Sequence, residues 1–419
     1  MTQTINKSAL FNASCFALIT TAFTFSIRAG ILPQLGAEFG LTNEALGFIN
    51  SMWFLGFPIS MILGGLFYHV IGAANIMRIA FIMHTLGIIL TIFSGSFAGV
   101  VSPYAVLLIS TLFIGVGNGC TEAACNPMIA DMYTGVKMNK MLNRFHMWFP
   151  GGIMVGSLIS KFMTDAGGTM AQWQTQMWVL MIPTVIYAVL FFGKTFPKPH
   201  ADEAMSISQN LKAMISPIFI FLFITMSITA ITEFGTTQWA EIILSSSGAS
   251  GMLILALTTG IMALARFFAG PVVAKFGQTG ILLIGAVLAT IGIYMFSVVT
   301  GPLAYGAAVI FALGVAYFWP VMIGATAQRV PLSGALGMSI IGGVGMFSTA
   351  IWQPVIGSWI DTSRATMAAE GKIGEALELA AGQATLQKLL IFPVVLIVLF
   401  TIFYFWQKGN KPAAAPAAH

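Results

Sequence analysis

The stretch "GVGNGCTEAACNPMIADMY", residues 115–133, decides how the chain is read, because it continues "PYAVLLISTLFI" without a break and so carries Glu122 inside a run long enough to cross a bilayer. An ionised side chain at that depth costs several kcal/mol unless it is paired or faces water. A carboxylate there implies function or a strut between helices.

Composition places the run in context. Of 419 residues, 58% are hydrophobic and 7% charged, where soluble domains carry roughly 25% charged residues. Taking about twenty apolar residues per crossing, twelve runs emerge: 10–34, 45–68, 75–98, 103–131, 143–165, 172–195, 214–243, 250–274, 278–299, 302–327, 334–360 and 385–407. The expected fold is an all-α membrane protein of twelve transmembrane helices in two pseudo-symmetric six-helix bundles. Residues 1–195 form the first bundle, 196–213 a cytoplasmic linker, 214–407 the second bundle and 408–419 a disordered tail. Twelve spans leave about 35 residues each, so no soluble domain fits.

Internal echoes support duplication. "GGLFYHVIG", ending at Gly72, and "AGPVVAKFG", ending at Gly277, lie 205 residues apart, and "GVGNG" at Gly115 and "GVAYF" at Gly314 lie 199 apart. Such recurrence fits parallel repeats of six spans. Basic residues set the orientation. Lys7, Arg78, Lys137, Lys140, Arg144, Lys194, Lys198, Lys212, Lys275, Arg329, Lys408 and Lys411 fall on one side; Lys161, Arg364, Lys372 and Lys388 fall on the other. Both termini are therefore expected in the cytoplasm, and the first apolar run, with no clear cleavage site, as a retained helix of a bacterial inner-membrane protein. The net charge of +5 reports topology and does not point to nucleic acid. The loop from Asp361 to Lys388 reads as a solvated amphipathic helix outside.

Several chemistries find no support. Cys15, Cys120 and Cys125 lie within predicted spans without a CxxC pair or a histidine framework, so neither a disulfide nor a metal site is expected. The glycines of "GVGNG" follow no strand, which argues against a nucleotide loop. No nucleophile and base can be assembled at one depth; the expectation is a transporter without cofactor, not an enzyme.

What remains are polar groups at membrane depth: Arg28 on span 1, His84 on span 3, Asn118, Glu122 and Asn126 on span 4, His146 on span 5, Glu233, Gln238 and Trp239 on span 7, Arg266 on span 8, Trp319 on span 10 and Gln353 on span 11. A rise of 1.5 Å per residue puts Arg28 near the depth of Glu233, and Glu122 near that of His146. Arg28 with Glu122 stays open as an alternative pair, because Gly30 and Pro33 permit a break in span 1. His84 reads as a packing histidine and Arg266 as a group bonding helix-end carbonyls.

"EAACNP" at Glu122 to Pro127 resembles the span-4 signature of the fucose–proton symporter branch of the major facilitator superfamily, "NRFHMWFPGG" its span-5 opening and "YFWPVM" its span-10 proline motif. "EFGTTQW" is closer to sibling sugar-transporter branches. The resemblance implies a monomeric secondary transporter of a small polar solute, a monosaccharide, moved by alternating access with protons. The coupling residues would be Glu122, Glu233 and Arg28. The binding residues would be Arg28, Asn118, Glu122, Asn126, His146, Glu233, Gln238, Trp239, Trp319 and Gln353. Two departures stand out: Ala29, beside Arg28, occupies the place of the branch's span-1 coupling acid, and His146 that of its span-5 amide. An unneutralised Arg28 would favour an organic anion or sugar acid instead, and an uncoupled facilitator is the third possibility.

Overall fold

The computed structural model describes residues 5–133, 135–197 and 207–409, and among them there is no strand. The spans are α1 (Lys7–Phe39), α2 (Asn43–Leu66), α3 (Ala73–Ile92), α4 (Pro103–Met132), α5 (Trp148–Ala166), α6 (Trp173–Phe191), α7 (Pro217–Thr237), α8 (Gly251–Phe267), α9 (Ala269–Phe296), α10 (Leu303–Arg329), α11 (Gly334–Ala369) and α12 (Ile391–Gly409). Ten described spans are long and apolar enough to cross a membrane, and α8 makes an eleventh when joined to Ala240–Ser247 across a bend of 117°. The remaining helix, α5, carries Lys161 and Asp165 near its end, bonded to each other. It packs lengthwise on α8, which at 17 residues is the shorter of the two.

The duplication heard in the sequence is present in the backbone. Gly72 and Gly277, 205 residues apart, break the chain in the same conformation, φ 76° and ψ 152° against φ 70° and ψ 163°. A positive φ of this kind is open to glycine and strained for other residues. The match extends to packing. A Cβ on Gly87 of α3 would lie 2.7 Å from the Ser110 carbonyl of α4, and one on Gly292 of α9 would lie 2.7 Å from Cα of Phe311 on α10. Small residues let transmembrane backbones approach this closely.

The two halves meet along α2 with α11 and α5 with α8. At the end away from most basic residues this seam is tight. A Cβ on Gly47 would lie 2.5 Å from the Gln353 carbonyl, and one on Gly357 2.1 Å from that of Asn43. Ser51 donates to the Ala350 carbonyl. The Asp361 carboxylate accepts from the Asn43 amide at 3.2 Å, its side chain at 2.7 Å and the Glu44 amide at 2.9 Å.

Three expected boundaries move. Residues 143–146 do not open span 5; they end a separate helix, Gly135–His146, which exposes Lys137, Lys140 and Arg144 and buries Phe145. That amphipathic pattern suits the water–lipid boundary, where cations reach water. The loop after Asp361 is not a fully solvated helix. α11 runs on to Ala369, and Gly374–Leu389 folds back with Ala381, Gly382, Thr385, Leu386 and Leu389 buried. A Cβ on Gly382 would lie 2.4 Å from the Ile243 carbonyl, so this helix plugs the closed end. Span 7 ends at Thr237, and Trp239 caps the next short helix. The expected disordered tail lies outside the described residues from position 410 onward.

Candidate substrate and coupling site

Arg28 sits on α1 with 5% of its surface exposed. Its Nη2 donates to the Gln238 amide oxygen at 2.7 Å, a bond from the first half to the second. Its guanidinium lies 5.2 Å from the Trp53 ring centre and 5.8 Å from that of Phe54, both on α2. Nε and Nη1 have no hydrogen-bond partner. No carboxylate pairs with it among the described residues. The sequence left two acids open as partners; here the group bonds to neither, and its hydrogen bond goes to Gln238, at the end of α7 and about 140° round the helix from Glu233.

Glu233, 6% exposed on α7, has its carboxylate free of hydrogen bonds among the described residues. Arg266 is near enough for its field to act on it. Arg266 itself donates through Nε to the Ala316 carbonyl at 2.9 Å, and the Tyr317 hydroxyl donates to the Ala265 carbonyl at 2.8 Å. The Ala316 carbonyl lies where α10 breaks between Val315 and Phe318, and that of Ala265 in the last turn of α8.

Around the closed seam, more polar atoms lack partners: Nε1 of Trp239, Nε2 of Gln353 and Oδ1 of Asn50. The Asn50 amide donates to Gln353 Oε1 at 3.5 Å, linking α2 to α11. Trp239 and Gln353 are both fully buried. Trp319 is partly exposed, its ring against Gly345 and 5.9 Å from Phe234.

Glu122 occupies a different level. On α4 it lies between Asn118, which bonds α1, and Gly119, which touches α2 at Phe57 and Ser60. At 100° per residue its side chain is directed between those helices. It is partly exposed and accepts from Asn126 at 2.5 Å, one turn on. His146, its expected neighbour by depth, is exposed on the boundary helix, makes no ion pair with it and touches Phe145. Asn118 is fully buried, its amide bonded at both ends, to His84 at 2.8 Å and to Thr24 at 3.1 Å. Asn50, Trp53 and Phe54 were absent from the sequence-derived set. An amide one turn from an indole inside span 2 was the available signal.

Comparison with known proteins accords with this architecture. The sequence profile of the Major Facilitator Superfamily matches residues 14–353. The chain belongs to that superfamily. Among curated superfamily relatives, a probable chloroplastic anion transporter of rice (Oryza sativa subsp. japonica) is 22% identical over 198 residues, 47% of this chain and 36% of that protein. The match thus spans about a third of the relative's length. Among solved structures, a nucleoside transporter superposes with TM-score 0.75 at 12% identity, covering 95% of this chain and 99% of the other. A D-xylose–proton symporter gives TM-score 0.72 at 15% identity, with 92% and 97% covered. At these identities the superpositions establish the fold of this superfamily transporter and leave its solute to chemistry.

Proposed function

We propose that this transporter carries a small organic anion, such as a sugar acid, whose carboxylate binds Arg28, with proton coupling through Glu122 and Glu233. The observation that carries this is a buried guanidinium with two unpartnered donors and no acid beside it. An uncompensated charge in that setting is strongly destabilising, so an anionic ligand for part of the cycle supplies what the fold withholds. Guanidinium donors are planar and match carboxylates, and on Arg28 Nε and Nη1 are unpartnered while Nη2 is engaged by Gln238. Gln238, Gln353, Asn50 and Trp239 offer hydrogen bonds to hydroxyls, and Trp319 an aromatic face. The similarity to a probable anion transporter over 47% of the chain points the same way.

Glu122 is partly exposed, and we place its access to water at the basic, cytoplasmic end. As the halves rock, its surroundings change from wet to enclosed, which alters its proton affinity as coupling requires. A second reading, proton-coupled monosaccharide transport, draws on the uncommitted amide and indole groups and on the likeness of "EAACNP" to the fucose–proton symporters. The third, an uncoupled facilitator, is separated by the same experiment.

Uptake of D-gluconate and of D-glucose into proteoliposomes, with and without an inward proton gradient, discriminates among them. Gluconate accumulation driven by the gradient, lost in Arg28→Gln and reduced to gradient-independent equilibration in Glu122→Gln, is the expected result. Uptake of glucose alone overturns the anion reading in favour of the second. Accumulation indifferent to pH in the wild type removes coupling.

A further inference from the structure

Behind Arg28 runs a chain of hydrogen bonds that joins five spans of the first half. The Tyr187 hydroxyl of α6 lies 3.0 Å from Nδ1 of His84 on α3, and His84 Nε2 lies 2.8 Å from Oδ1 of Asn118 on α4. Asn118 Nδ2 donates to the Thr24 hydroxyl of α1 at 3.1 Å, and the Trp53 indole N–H of α2 donates to the same oxygen at 3.0 Å. Thr24 passes its own proton to the Thr21 carbonyl at 2.7 Å. All five side chains are at most 1% exposed.

The donors and acceptors match one to one when His84 is neutral with its proton on Nε2, since Asn118 Oδ1 can only accept and the tyrosine hydroxyl then donates to Nδ1. "GVGNG" makes the room. A Cβ on Gly117 would lie 2.4 Å from Cδ2 of His84, so the glycine allows the imidazole to lie flat against α4.

The chain ends at the ring on which Arg28 rests. Its one hydrogen bond goes to Gln238 in the other half, a partner that alternating access moves away. Within its own half, aromatic faces hold the guanidinium, and the orientation of the Trp53 face is set by Thr24, one helical turn before Arg28. We propose that Thr24, Asn118 and His84 are positioning residues for the Arg28 site: their hydrogen bonds fix the Trp53 indole, and the indole holds the guanidinium with Nε and Nη1 free for an incoming anion. This rests on the anion reading above and extends it from the binding residue to what aims it.

The test uses the full-length protein labelled with 5-fluorotryptophan, the Trp53 19F resonance being assigned by its loss in Trp53→Phe, together with titration of D-gluconate. Thr24→Val removes the hydroxyl at nearly constant shape and Thr24→Ser retains it. Thr24→Val is expected to displace the Trp53 resonance and weaken gluconate about tenfold, whereas Thr24→Ser stays within about twofold of wild type. Arg28→Gln displaces the same resonance, because the cation leaves the ring face. A Trp53 resonance unmoved by Thr24→Val, or equal gluconate affinity in Thr24→Val and wild type, overturns the proposal. Should gluconate fail to bind the wild type, the anion reading falls by itself. The positioning then stands if both Thr24→Val and Arg28→Gln displace the resonance, and falls if either leaves it in place.

Discussion

Two buried charges divide the roles of this molecule between its halves. Arg28 is held by aromatic faces and one amide, and Glu233 by nothing within hydrogen-bond reach among the described residues. A group kept for packing would be neutralised by evolution at no loss, so Glu233 makes a sharp test of function against stability. Glu233→Gln removes a largely buried charge at nearly constant volume. Arg266 keeps its bond to the Ala316 carbonyl and its partial contact with water. We expect the variant to be more stable than wild type, by about 1 kcal/mol, and to have lost proton-driven accumulation. Thermal unfolding of the purified protein measures the first and the proteoliposome assay the second. A fall in melting temperature would instead make Glu233 a strut between helices.

At the scale of the element, the N-terminus of α2 carries the clearest inter-half contact. Its first amides point out of the helix without intrahelical partners, with a partial positive charge, and Asp361 on α11 of the opposite half accepts from two of them and from the Asn43 side chain. Asp361→Ala leaves those donors open and shifts the molecule toward the state open at that end. The bonds lost amount to about 1–3 kcal/mol, a population change of roughly 5- to 150-fold. A cysteine at Ser51, in the closed seam, is expected to react with an impermeant maleimide faster by a comparable factor in Asp361→Ala, and an unchanged rate would show that Gly47 and Gly357 packing alone holds the seam. This latch was not legible in the sequence. Apolar runs locate spans and lysines orient them, because hydropathy and charge are summed over many residues. Which residue of α11 meets which of α2 depends on helix rotation and tilt, and a rise of 1.5 Å per residue carries neither. The same gap separates Arg28 from its actual partner: depth placed it near Glu233, while azimuth and the bend after Thr237 gave it Gln238. His146 was misplaced for another reason, since the apolar run of α5 merges with the buried face of the boundary helix before it.

For the whole molecule, the periodicity near 205 residues, legible before any coordinates, becomes a mechanical statement. Gly72 with Gly277, and Gly87 with Gly292, show the two halves built alike; their seam is tight where Gly47 and Gly357 meet backbone, and Glu122, Asn126 and Trp319 are partly exposed. Rigid halves joined this way can exchange open ends by rocking about the α2–α11 and α5–α8 seams. A covalent clasp across the closed seam then forbids the exchange without touching the site. Ser51 and Ala350 face each other there, side chain to carbonyl, on helices brought close by Gly47 and Gly357, and the native cysteines are all buried and unpaired. With both positions changed to cysteine, oxidation is expected to lower uptake at least tenfold and reductant to restore it, while solute still binds from the basic end with its affinity within about twofold of the reduced protein. Loss of binding together with uptake would mean that the clasp distorts the site. Undiminished uptake by the oxidised protein would mean that solute passes without the closed end ever parting, and the two-state rocking of the halves would have to be given up in favour of a path through one of them.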